Sequence, residues 1–342
     1  MKTLLFAILV VLASGLSAGG KIVAFPELQK PKTITVKDRQ IFITENVKVL
    51  VYSADNFKLL YTFGKRGEGP GEFKIMDNAE IGIGVQISVQ PDYILANSIG
   101  RISYFTREGK YIKEKMTQMG RGPYGHNLIP LGELFVGYGF MMEGKTWHVC
   151  VNLYDQNIKP VKELYRHPFF VQPGKKTDPE NWRPTLFYVS KGRIILDRED
   201  GTIDILNPQG ENIRSFNHSY PRIRETRSRV DEYLNFLKTD PRFRENFEFL
   251  RNTLEFPDYL PLIQFFTVDD NQIYVITNQK RAEENQMFIF DYHGRLLKRI
   301  WIKLAEKTPI EPYPYAILDG ILYQLRENLE TEDWEVVVKP IY

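Results

Sequence analysis

The chain has 342 residues, 43% of them hydrophobic and 13% aromatic, which is enough apolar side chain to fill a core and too much for a disordered polymer. Lys and Arg number 45 against 43 Asp and Glu, so a net charge of +2 excludes a chain-wide field for nucleic acid, and any basic site has to be local. A single cysteine excludes an internal disulfide and any multi-cysteine metal centre.

The opening residues, MKTLLFAILVVLASGLSAGGK, place Lys2 ahead of an apolar run over residues 4–12, followed by the small residues Ser17, Ala18 and Gly19. This is the layout of a cleavable secretory signal, and the run is too short for a comfortable membrane span. Residues 1–19 are therefore expected to be removed, leaving residues 20–342 as one domain of a secreted or periplasmic protein with no stable membrane span. An uncleaved anchor is the alternative. No cysteine follows the run, which disfavours lipid anchoring.

Five segments then repeat one pattern of strand, polar turn and strand: VLVYSADNFKLLYTF, RISYFTREGKYIKEK, VCVNLYDQNIKPVKEL, IDILNPQGENIRSF and MFIFDYHGRLLKRI. Aligned on the residue before the turn they anchor at Tyr52, Phe105, Tyr154, Leu206 and Phe290, with steps of 53, 49, 52 and 84 residues. The last step carries an insertion. Most copies follow another alternating hairpin, KTITVKDRQIFITE, ISVQPDYILAN, LFYVSKGRIILDRED or FFTVDDNQIYVITN. Their turns are expected at Lys37-Asp38, Pro91-Asp92, Lys191-Gly192 and Asp269-Asp270. Each repeat is thus about four short strands, a propeller blade. A partial sixth copy from Pro314 to the end is one strand short, and the segment near KIVAFPEL is expected to supply the missing strand and close the ring.

FGKRGEGPGEF, NSIGRISYFTREGKYI with its N-x-x-x-R-I-x-x-F arrangement, and FPDYLPLIQFFTVDDNQIYVIT together resemble bacterial six-bladed β-propeller proteins of the NHL and TolB-like type. The resemblance implies export and, for most members, no assigned enzymatic activity. The expected fold class is all-β, a six-bladed β-propeller with a helical hairpin insertion between blades four and five.

The stretch YTFGKRGEGPGEF over residues 61–73 holds four glycines, and MTQMGRGPYGHN over residues 116–127 repeats its character. A phosphate loop needs Lys then Ser or Thr after its last glycine, whereas Glu72 and Phe73 follow Gly71. No strand-turn-helix context supports a dinucleotide fingerprint either. The glycines and Pro70 read as the sharp path from one blade to the next. A functional reading stands beside it: Lys65, Arg66, Arg121 and His126 could hold an anionic group at the ligand mouth.

Strand patterning stops after Phe216. Apolar residues at Val230, Tyr233, Leu234 and Leu237, then at Phe243, Phe247, Leu250 and Leu254, predict two helices in an insertion over about residues 221–256. Ser228 with Asp231 suits a capping box for the first helix, and Asp240-Pro241 a cap and first turn for the second. Arg222, Arg224, Arg227 and Arg229 precede or open it, either as solvated surface or as cations on a lid. Trp182 and Arg183 in NWRPTLF form another place where an aromatic and a cation could meet a ligand.

His126, His148, His167, His218 and His293 are dispersed, and Cys150 alternates inside a strand, as a buried structural thiol would. The residues point to a non-catalytic binding or scaffolding module for an anionic glycan, peptide or protein partner, with no cofactor and no nucleic acid. The alternative is a lactonase- or lyase-type propeller enzyme with a divalent metal in its central channel.

Overall fold

The computed structural model describes residues 20–74, 84–117, 126–144, 146–168, 176, 178–179, 186–198, 200–308 and 311–342. Residues 1–19, where the leader is expected, lie outside them, as do Arg121, Trp182, Arg183 and the side chain of His126.

Six four-stranded antiparallel sheets follow one another along the chain, and together they form a six-bladed β-propeller. The first blade pairs Thr33–Lys37, Gln40–Glu45, Lys48–Ser53 and Leu59–Phe63, and the second Gln86–Val89, Tyr93–Ser98, Arg101–Thr106 and Tyr111–Met116. The third runs from His126–Leu131 to Pro160–Pro168 around a long hairpin of Leu134–Glu143 and Thr146–Tyr154. The fourth spans Phe187–Ser190 to Asn212–Phe216, and the fifth Phe265–Val268 to Leu296–Lys303. In the sixth, Tyr315–Leu318, Ile321–Glu327 and Trp334–Pro340 take their outer strand from the other chain end: Lys21–Ala24 pairs antiparallel with Trp334–Pro340, Lys21 opposite Val338.

The apolar clusters give an independent count of the interfaces. Six of them lie between neighbouring blades, including one that joins the sixth blade to the first through Phe25, Leu28, Ile34, Tyr52, Leu325 and Trp334. An open row of six blades has five interfaces, so the sixth closes the ring. The innermost strands also touch across neighbouring blades, and the first blade meets the sixth.

Local chemistry explains why the sequence repeats. Each anchor residue (Tyr52, Phe105, Tyr154, Leu206, Phe290) is buried in an inter-blade cluster near the end of a third strand. The turn that follows begins with Ser53, Thr106, Asp155, Asn207 or Asp291, whose side-chain oxygen accepts the amide two residues on. It ends with a left-handed residue, Phe57, Gly109, Ile158, Gly210 or Gly294. Gly294 needs more than its positive φ of 72°: a Cβ there would sit 2.7 Å from Cγ of Phe216, on the outer strand of the preceding blade.

Pro91-Asp92 forms the first hairpin turn of the second blade, as expected, whereas two of the four expected pairs are shifted by one residue. The two central residues of the first blade's turn are Asp38 and Arg39, both at positive φ, because Lys37 pairs with Gln40. In the fifth blade they are Asp270 and Asn271, because Asp269 turns inward and its carboxylate accepts from Tyr274. Lys191-Gly192 is the turn of the fourth blade, as expected.

Between the fourth and fifth blades lie α1 (Arg227–Thr239), a short 3-10 turn (Arg244–Asn246) and α2 (Phe247–Thr253). Tyr233, Phe236, Leu237 and Leu254 form a small core of their own. The cap of α1 is Thr226, whose hydroxyl accepts from the Arg229 amide, and not Ser228. Asp240 closes α1 and accepts from the Arg242 amide, and the helix expected from Pro241 begins only at Phe247.

Candidate functional site

Antiparallel four-stranded blades put two kinds of connection on two faces. The turns between first and second strands, and between third and fourth strands, lie on one face and are short. The other face takes the turns between second and third strands and the described crossings from one blade to the next, including residues 64–74, 84–85, 217–264, 304–308 and 311–314. We call it the crossing face.

Buried polar side chains hold these crossings in place. Asn97, in the second strand of the second blade, donates to the Leu128 carbonyl and accepts from the Leu128 amide, at 3.0 and 2.9 Å, completing a strand-like pair with the third blade. Gln324 does the same to Ala305 at 2.9 Å on both bonds. Asp197 accepts from the Leu186 amide, and Asn278 donates to the Pro261 carbonyl. Without a partner each of these groups would cost about 1–3 kcal/mol, so they fix where the crossings run.

The first glycine-rich crossing is folded on itself. The Phe73 amide donates to Lys65 O at 2.8 Å, the Gly67 amide to Phe73 O at 3.2 Å, and the Gly69 amide to a Glu72 carboxylate oxygen at 2.9 Å. Glu72 also pairs with Lys65 at 2.9 Å, and these contacts hold its carboxyl below the usual range. Those amides are consumed inside the loop, so they form no cradle for an outside anion. Gly64, at φ 84°, leaves room for the Phe73 ring, which a Cβ would meet at 2.3 Å.

Arg101 locks the loop from the second blade. Its guanidinium, with 7% of the side chain exposed, donates to Glu68 O at 3.0 Å and Gly69 O at 3.3 Å and pairs with Glu114 at 3.2 Å. Arg101 of the N-x-x-x-R-I pattern is thus a positioning residue for the first crossing, Asn97 for the first strand of the third blade, and Phe105 is its core anchor.

The described candidate residues fall into two groups. Lys65 and the exposed Arg66 lie on the crossing from the first to the second blade. Arg222 and Arg224 lie on the crossing from the fourth to the fifth, three blades away and so across the ring. Arg222 stacks on Tyr259 at 4.3 Å, and Arg224 forms a backbone bridge to the same residue. Arg227 is 95% exposed, whereas Arg229 turns back to Glu225 at 3.7 Å beside a cleft lined by Tyr233, Phe256 and Leu260. Arg222, Arg227 and Arg229 therefore have separate surroundings: a tyrosine ring, solvent and a carboxylate. His126 begins the first strand of the third blade.

A basic cluster that sequence reasoning missed lies elsewhere on the crossing face. Lys30 on the sixth-to-first crossing, Lys307 on the ribbon of Glu306–Thr308 and Glu311–Pro312, and Arg242 after α1 all lie within electrostatic reach of Lys32. Arg242 binds Asp240 at 2.9 Å and Glu311 at 3.4 Å. No sequence signal joins positions 32, 242 and 307; only ring closure does.

Other titratable groups have structural roles. Burial, with Glu163 beside it, pushes the Cys150 thiol up to about 11. Burial lowers His167, and the nearby His148 charge adds to the effect. Among the described residues no group of three or more His, Cys, Asp or Glu is placed to hold a metal ion. Among them, too, no helix is long and apolar enough to cross a membrane.

No protein-family model matches the sequence, and no curated protein is significantly similar to it. Solved structures with a related course of chain include BamB from Moraxella catarrhalis, at 9% identity and a TM-score of 0.30, covering 90% of this chain and 71% of that one. The β-propeller domain of Myceliophteria thermophila Cps50 (Swd1) is similar at 10% identity and a TM-score of 0.39, covering 92% of this chain and 99% of that one. The blade count rests on the strand pairing of the chain itself, six sheets with six cores between them.

Proposed function

We propose that the protein is an exported β-propeller of the NHL and TolB-like type that works as a binding or scaffolding module, engaging an anionic glycan, peptide or protein partner on its crossing face. One observation carries the reading: the ring keeps tight turns on one face and places its long connections, α1 and α2 on the other. Irregular segments on a rigid scaffold are where binding groups concentrate. Arg66, Arg222, Arg224 and Arg227 are exposed there. The leader-like opening residues support export.

A metal-dependent lactonase or lyase would need at least three ligands converging in the channel, and no observation among the described residues favours it. The binding reading is tested with the full mature chain on immobilised polyglutamate and on a sulfated glycan. Charge reversal at Arg66, Arg222 and Arg224 should weaken retention at least tenfold, whereas reversal at Arg39 and Lys58 on the opposite face should leave it unchanged. Equal effects from the two faces would refute the assignment. Export is tested by fractionating cells that express the chain with and without residues 1–19.

A further inference from the structure

We propose that the central channel is a blind pocket entered from the crossing face, because a bar of side chains from opposite blades, Lys37, Asp270 and Ser190, spans its other end. The proposal goes beyond the crossing-face reading and stands whatever that face binds.

The bar follows from the blades its members belong to. Lys37 ends the innermost strand of the first blade, and Ser190 ends that of the fourth. In a ring of six these two blades stand opposite one another. Both nevertheless reach one carboxylate, that of Asp270 in the first hairpin turn of the fifth blade. Lys37 Nζ lies 3.4 Å from Asp270 Oδ2, and Ser190 Oγ donates to Asp270 Oδ1 at 3.4 Å. A single side chain touches opposite blades only by standing in the space that the innermost strands enclose. The neighbours of Lys37 in its own turn point elsewhere, Asp38 to Arg107 at 3.3 Å and Arg39 to Asp55 at 2.6 Å, so the reach across the ring is that of Lys37.

The turn that carries Asp270 is braced. The Asp269 carboxylate accepts from the Asn271 and Gln272 amides and from Tyr274 Oη, at 2.7 Å each. Its carbonyl accepts from Tyr292 Oη at 2.6 Å and from Ser190 Oγ at 3.3 Å. Lys191 of the fourth blade donates to Asn271 at 2.9 Å, and Tyr342, just after the last strand of the sixth blade, donates to Gln272 at 3.1 Å. Neighbouring blades therefore hold the turn from both sides, and Ser190 beside it is 7% exposed.

The Lys37–Asp270 pair is partly exposed, so its own contribution to stability is small. Its effect is steric. A helical segment, about 10 Å wide, cannot thread the ring past a side chain standing at the axis. A partner segment that uses the channel has to enter and leave on the crossing face.

The test is the rate at which N-ethylmaleimide labels Ser190→Cys in the full mature chain carrying Cys150→Ala. Removing the bar with Lys37→Met or with Asp270→Ala should raise the rate several-fold without a fall in Tm. Arg39→Met, in the same turn as Lys37 but directed to Asp55, should leave the rate as it was. Equal rates in all these proteins would show that Ser190 is shielded by its own blade and would overturn the bar. A rise that Arg39→Met shares, with a lowered Tm, is general loosening and overturns it as well. Retention on polyglutamate or on a sulfated glycan should be the same with and without the bar; retention lost in both Lys37→Met and Asp270→Ala would put the entrance on the face of the tight turns, against the proposal. A chain that binds neither polymer, yet shields Ser190→Cys until the bar is removed, would refute the crossing-face reading and leave the blind channel standing.

Discussion

Two glycine substitutions separate backbone strain from blade packing. Gly132 sits in the first hairpin turn of the third blade at φ 60° with nothing within 4 Å of a built Cβ, whereas Gly294 at φ 72° has Phe216 Cγ, Cδ1 and Cβ at 2.7, 2.8 and 2.9 Å. Alanine at either position meets the left-handed penalty, about 1 kcal/mol. At Gly294 it also forces the fourth and fifth blades apart. Phe216 cannot swing clear, because its own Cβ is among the obstructing atoms and its ring packs on Phe290 at a centroid distance of 5.1 Å. Overpacking of that kind adds about 1–3 kcal/mol. Gly132→Ala should therefore lose about 1 kcal/mol and Gly294→Ala about 3 kcal/mol in urea unfolding followed by tryptophan fluorescence, with the midpoint moving at constant m. Equal losses for the two variants would show that the turn glycines serve backbone conformation alone and that the inter-blade contact is slack.

Further outcomes follow from the site and the core. Arg101→Met should cost about 2–3 kcal/mol by stranding Glu114 and the Glu68 and Gly69 carbonyls, and it should speed hydrogen exchange in residues 64–73; slow exchange there would mean that the loop holds itself. Phe25→Ala, at a ring 2% exposed in the closing cluster, should cost about 3 kcal/mol and deprotect the amides of Trp334–Pro340; protection changes confined to other blades would contradict the closing role. Alkaline pH should destabilise the fold. With Cys150 raised from 9.0 to about 11, the unfolded chain releases the thiol proton first and binds fewer protons, so stability falls with rising pH across that window. The loss is about 1.4 kcal/mol per pH unit. Cys150→Ala should flatten that part of the profile, and an unchanged slope would refute the assignment. Tyr154 and Tyr292, both pushed up to about 12 by burial, carry the decline further.

The blades were legible because their signals are local. Alternation marks the strands, and Asp155, Asn207 or Asp291 before a left-handed residue marks the turns. The five anchors mark side chains that every inter-blade core needs. The ends were legible too, since a sixth copy lacking a strand calls for a donor. What failed depended on competition between neighbours: Thr226 took the cap expected of Ser228, and Asp240 closed α1 where it was expected to open the next helix. The cations were least legible. Lys65 is exposed, as its sequence context suggests, yet it is neutralised by Glu72. Lys32 looks like one more surface lysine until the ring brings Lys307 and Arg242 within electrostatic reach of it.

Because the last blade borrows its outer strand from the start of the polypeptide, pairing of Lys21 with Val338 joins the most distant parts of the sequence. Closing so long a loop is entropically slow, and until it happens Trp334–Pro340 presents an open edge. At high concentration that edge can accept Lys21–Ala24 from another copy as readily as its own. Conditions that loosen the seam, such as Phe25→Ala, should therefore favour strand-exchanged dimers before they favour unfolded chains.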